Sequence, residues 1–62
     1  MFYHIEITPN AQAVYAHATL KEATEAFHYF MYYQSNVGAD YATGMVIDAD
    51  GAVYRTEKYV KE

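Results

Sequence analysis

The side chains able to do chemistry are few, and their spacing argues against most of what they could do. His4, His17 and His28 fall on three different predicted elements. A zinc site needs three or four nitrogen, sulfur or oxygen ligands converging on one point, and no two of these histidines have the i, i+4 spacing that puts a ligand pair on one helix face. No metal site is expected. Asp48-x-Asp50-Gly51 opens like a calcium loop. Such a loop needs further oxygen ligands and a bidentate Glu at its twelfth position, which here is Tyr59, so these residues are read as a tight turn. Glu22 and Glu25 are a carboxylate pair, but acid–base work requires a shifted pKa, and both fall on a predicted solvent-facing helix surface. There is no cysteine, and neither a glycine-rich phosphate loop nor a nucleophile elbow. The expectation is a non-enzyme with no catalytic residue and no cofactor.

What remains is charge and aromatic surface. The net charge is −4, unevenly spread. Glu22, Glu25, Asp40, Asp48 and Asp50 stand in residues 22–50 with no base among them, while Arg55, Lys58 and Lys61 cluster at the C-terminal end. An acidic middle disfavours phosphate backbones and suits a basic protein partner. Arg55, Lys58 and Lys61, interleaved with Tyr54 and Tyr59, give an alternative reading as a weak RNA or DNA binder through the C-terminal strand. Glu57 and Glu62 interrupt that strip, and a charged edge strand explains it more simply.

The element that must position this surface is a helix over Thr19–Gln34. Thr19 and Glu22 form a capping-box pattern, and Asn36 and Gly38 offer left-handed closure, placing the helix end within Ser35–Gly38. At 100° per residue, Leu20, Ala23, Ala26, Phe27, Phe30 and Met31 fall on one apolar stripe. The opposite side carries Lys21, Glu22, Glu25, His28, Tyr29, Tyr32 and Tyr33, where an ordinary solvated face would hold Lys, Glu, Gln and Ala. Tyrosine buries large area with few rotatable bonds and keeps a polar tip, so it concentrates at interfaces. Glu22, Glu25, Tyr29, Tyr32, Tyr33 and Asp40 are therefore the expected protein-binding residues, serving either a homodimer or a hetero-complex.

The rest of the chain reads as strands. Phe2–Thr8 alternates, with Ile5 and Ile7 assigned to the helix side and Phe2 and His4 to the other. Thr8-Pro9-Asn10 is a turn, and Gln12–His17 a return strand, the alternative being a short helix and a βαββ order. Residues 37–42 read as loop, Thr43–Asp48 as a strand, Ala49-Asp50-Gly51 as a type I turn with a G1 bulge, and Ala52–Tyr59 as its partner. The fold class is α+β: a small antiparallel sheet in ββαββ order with one helix packed on one face, in a single domain over 1–62. One helix covers one sheet face, so the other is expected to meet a partner. At 62 residues the core supplies no more than about 3–5 kcal/mol, and without cysteines homodimerisation is the remaining stabiliser. The start, MFYHIEIT, lacks the basic and apolar regions of a signal peptide, and no stretch approaches a membrane span. A cytoplasmic protein without membrane contact is expected.

In size, acidity and tyrosine content the chain resembles the small acidic proteins that phages and other mobile elements use against host defence, several anti-CRISPR proteins among them. The resemblance implies an inhibitor that occupies a site meant for nucleic acid. On this reading Glu22 and Glu25 stand in for phosphates, and Tyr29, Tyr32 and Tyr33 for stacked bases. Homodimeric structural or regulatory modules without inhibitory activity are the alternative.

Overall fold

A computed structural model describes all residues, Met1 to Glu62. The order is β1 (Phe2–Ile7), β2 (Gln12–His17), α1 (Leu20–Val37), β3 (Tyr41–Asp48) and β4 (Val53–Val60). The four strands form one sheet in the order β2-β1-β3-β4, antiparallel at every junction. Strands β2 and β3 run the same way with β1 between them, and α1 crosses over β1 to join them. This is the ββαββ fold expected from the sequence. Residues 12–17 make a strand, not the alternative short helix.

Each boundary has a local cause. Thr19 is extended (φ −129°, ψ 155°); its side chain accepts from the Glu22 backbone N–H, and the Glu22 carboxylate returns to the Thr19 backbone N–H, completing the capping box. Gly38 closes the helix at φ 70°, a left-handed conformation that glycine adopts without a Cβ clash. The β1–β2 turn tips at Pro9 and Asn10, spanned by a Thr8 N–H to Ala11 carbonyl bond of 2.9 Å. In the β3–β4 turn, Gly51 sits at φ 88° and donates to the Asp48 carbonyl at 3.0 Å. Strand β3 begins two residues earlier than the sequence suggests, taking in Tyr41 and Ala42. Pairing with Tyr59 and Val60 draws these residues out of the loop.

The core is Ala23, Phe27, Phe30 and Met31 of the helix against Ala42 and Val46 of β3, with Phe2 and Tyr59 at its margin. Gly44, between Ala42 and Val46 on the same face, is also buried. A Cβ built on Gly44 would lie 2.9 Å from the Met31 Sδ and from two ring carbons of Phe27. The helix brings bulk, and the strand beneath it is correspondingly small.

This packing overturns one expectation from the sequence. The register pairs His4 with Val46 and with Tyr15, and Glu6 with Gly44, so Phe2, His4 and Glu6 lie under the helix. Ile5 and Ile7, expected against the helix, point with Tyr3 to the opposite side. His4 is 5% exposed, which is tolerable because both ring nitrogens find partners, as described below. Leu20 is a second correction. It lies on the apolar stripe by angle, but in the first turn it overhangs the sheet and stays 36% exposed, and Ala26 is only half-buried.

Two substitutions test this packing. Phe27→Ala should unfold the chain and leave no folded baseline, because the usual cost of a deleted buried ring, about 3–5 kcal/mol, matches what so small a core supplies. Gly44→Ala should cost about 1–3 kcal/mol, because the added methyl must displace the Phe27 ring, an overpacking strain. Urea unfolding followed by circular dichroism measures both; a neutral Gly44→Ala would contradict the close approach.

Candidate functional site

The helix face expected to bind protein is assembled by the 3.6-residue period alone. Glu22, Glu25, Tyr29, Tyr32 and Tyr33 lie within an arc of about 100°, directly opposite the buried stripe. All five are exposed, and the tyrosines are 72%, 68% and 52% accessible in chain order. Tyr29 and Tyr32 also reach the flanks of the helix. Tyr29 borders a cleft of about 330 Å³ above β2, and Tyr32 one of about 350 Å³ above β4 with His28, Glu57 and Tyr59. Asp40 is exposed in the loop after Gly38, beyond the end of the helix, which at 1.5 Å per residue lies about 22 Å along the axis from Glu22. It stands beyond the tyrosine end of the ridge rather than among the glutamates. Asp48 and Asp50 are in the β3–β4 turn, at the end of the sheet from which the helix starts.

Asp48 is not free surface charge. Its Oδ1 accepts from the backbone N–H groups of Asp50 (2.9 Å) and Ala52 (3.0 Å), and its Oδ2 accepts from the Tyr54 hydroxyl at 3.1 Å. The Ala52 N–H bond is the main reason its carboxyl lies below the ordinary 3.8, and the same Asp48–Tyr54 bond raises the Tyr54 phenol above 10.0. The register slips between Val46, paired with Arg55, and Ile47, paired with Val53. Tyr54 is thus the extra residue of a bulge. The bulge turns its ring edge-on to Phe2, centroids 5.8 Å apart at 67°.

A histidine pair is the feature that sequence reasoning missed. His4 Nδ1 lies 2.7 Å from His17 Nε2, and His4 Nε2 lies 2.8 Å from Glu6 Oε2. A carboxylate only accepts, so His4 donates from Nε2. In the neutral ring its Nδ1 then accepts from the His17 Nε2–H. Tyr15 stacks on His4 at 4.9 Å and 16°. The chain Glu6–His4–His17 satisfies a polar ring inside the core, and no buried side-chain polar atom lacks a partner. His28 is far from this pair, on the exposed helix beside Phe27. No three His, Asp or Glu side chains converge in a way that could hold a metal ion. The signal was present in the sequence. A hairpin tipped at Pro9-Asn10 pairs residues whose numbers sum to 19, which sets His4 opposite Tyr15 and diagonal to His17.

The second exposed surface is the reverse of the sheet. Alternation and register place Tyr3, Ile5 and Ile7 of β1, Gln12, Val14 and Ala16 of β2, Tyr41, Thr43, Met45 and Ile47 of β3, and Val53, Thr56, Lys58 and Val60 of β4 on it. No helix is long and apolar enough to cross a membrane. Comparison with known families found no matching model, and comparisons with curated proteins and with solved structures found no significant similarity.

The Asp48 bonds give a pH prediction with a definite sign. A folded carboxyl held below its unfolded value contributes stability above about pH 3.8, lost as pH falls through the lower folded value. Asp48→Asn should therefore unfold at lower urea than wild type near neutrality, with the gap closing in acid. The Tyr54 phenol is raised instead, so its contribution is complete below pH 10.0 and is lost above its folded value. A urea midpoint series against pH reads both limbs.

Proposed function

We propose that the chain is a non-enzymatic protein-binding module, an acidic inhibitor whose outward helix face engages a protein with a basic, nucleic-acid-binding groove. The observation that carries this reading is the ridge of Tyr29, Tyr32 and Tyr33, each more than half exposed, beside Glu22 and Glu25. Three large rings held in water on a rigid helix contribute little to a domain this small. They become useful when a partner covers them, because their rotamer loss on binding is low. The glutamates supply a negative field that draws a basic groove and speeds encounter, while the tyrosines hold the docked state and slow release.

The two roles separate by substitution. Glu22→Lys with Glu25→Lys should leave the circular dichroism spectrum intact and slow association with the captured partner by roughly tenfold or more at low salt, with little change in dissociation. Tyr29→Ala with Tyr32→Ala should instead speed dissociation. The partner is identified by affinity capture from a lysate with wild type and both double variants in parallel, and surface plasmon resonance supplies the rates. A nucleic acid that the partner binds should compete with the chain. Equal capture and equal rates for all three proteins would remove this face from the function.

A further inference from the structure

The reverse face of the sheet carries an inference independent of the helix-face reading. An antiparallel sheet with one face on a core ordinarily shows polar residues on the other. This sheet is largely apolar on both faces: Phe2, Val46 and Tyr59 pack on the helix side. The helix takes the side with His4, Glu6, Ala42 and Gly44, while Tyr3, Ile5, Ile7, Met45 and Ile47 are turned away from it. Val14, Val53 and Val60 on the same side are 63%, 54% and 57% exposed. Burying a histidine and a glycine fully while Ile5, Ile7 and Ile47 stay only half-buried and the flanking valines exposed is the wrong order for a monomer. It is the right order for a sheet that forms the middle of a larger assembly.

We propose that this face stacks on the same face of a second copy, giving a two-fold symmetric dimer with a helix–sheet–sheet–helix section. Charge selects the occupant. Lys58, on the outer strand β4, is the only charged residue on the face, so two copies meet there without opposing carboxylates. Stacked sheets lie about 10 Å apart, as do a helix and its sheet, so the acidic helix faces end up roughly 30 Å apart, beyond the ~8 Å screening length at physiological salt. Pairing through the helix faces would instead bring the two acidic helix surfaces within a screening length of each other. Area agrees. Four strands about 4.8 Å apart and six to eight residues long, at ~3.3 Å per residue, project roughly 400–500 Å² per copy before side-chain relief is counted. Two such faces total roughly 800–1,000 Å², and side-chain relief adds to this, which brings the contact to the ~1,000 Å² at which a specific interface begins. An isologous contact of this kind uses one patch twice, as a two-fold dimer requires.

Sedimentation equilibrium of the full chain at tens of micromolar tests this, with three variants run beside wild type. Wild type should sediment as a dimer. Met45→Lys and Val14→Lys, both on the open face, should halve the apparent mass while retaining the far-ultraviolet spectrum. Tyr29→Ala with Tyr32→Ala should stay dimeric. Because Met45→Lys could unfold the sheet, a measurement on wild type alone accompanies it. The methyl groups of Ile5, Met45 and Ile47 should be shielded from a soluble gadolinium chelate at high protein concentration and gain severalfold in relaxation on dilution. A monomeric wild type overturns the proposal. So does a dimer that survives Met45→Lys, which would place the contact at a strand edge, or one lost in the tyrosine variant, which would place it on the helix.

Discussion

The structure turns on how Phe27 and Met31 seat over Gly44. Two bulky helix side chains occupy the space a Cβ would need there, and this fixes which face of the sheet the helix takes. Ala42 and Val46 flank the glycine at the same depth, so β3 offers a shallow groove on one side only. Its other side, with Tyr41, Met45 and Ile47, is too bulky to admit the helix at that distance. Once β3 is placed this way, the backbone register with β1 decides the rest. A shift of one residue would send every side chain of β1 to the opposite face.

The consequence for β1 is a polar residue inside the core. His4 comes under the helix because it pairs with Val46, and an unpartnered buried imidazole would be costly. Glu6, two residues on along the same strand face, and His17, diagonal on β2, satisfy both ring nitrogens. The polar chain is therefore a by-product of helix seating that the hairpin accommodates. Its occupancy of the ring nitrogens also explains why these residues read better as structure than as chemistry. The apolar residues displaced from the helix side gather on the reverse face, which gives the molecule two unlike exposed surfaces: a ridge of tyrosine and glutamate, and a nearly neutral apolar sheet.

Local signals were legible in the sequence because their physics is local. The Thr19–Glu22 capping box, the Gly38 closure and the Asp50-Gly51 turn each depend on a few adjacent residues, and together they delimit the helix and the second hairpin. The tyrosine ridge was also readable, since helical period alone sets which residues share a face. The orientation of β1 was not. Its alternation says that Ile5 and Ile7 share a side but not which side meets the helix, and hydrophobicity points to the wrong answer. Shape overrode it: a glycine in the middle of β3 signals a close approach on that strand's face, and the two-strand register carries the information to β1. Asp40 joined the ridge on charge alone, whereas the helix end separates it from Glu22.

Nuclear Overhauser contacts from the Phe27 ring test most directly whether the helix seats on the glycine side of the sheet. Strong contacts to the Gly44 α-protons and the Val46 methyls are expected, and none to Ile5, Met45 or Ile47. Contacts from Phe27 to Ile5 or Met45 would mean that the helix covers the other face, and would contradict both the buried His4 pair and the open apolar sheet.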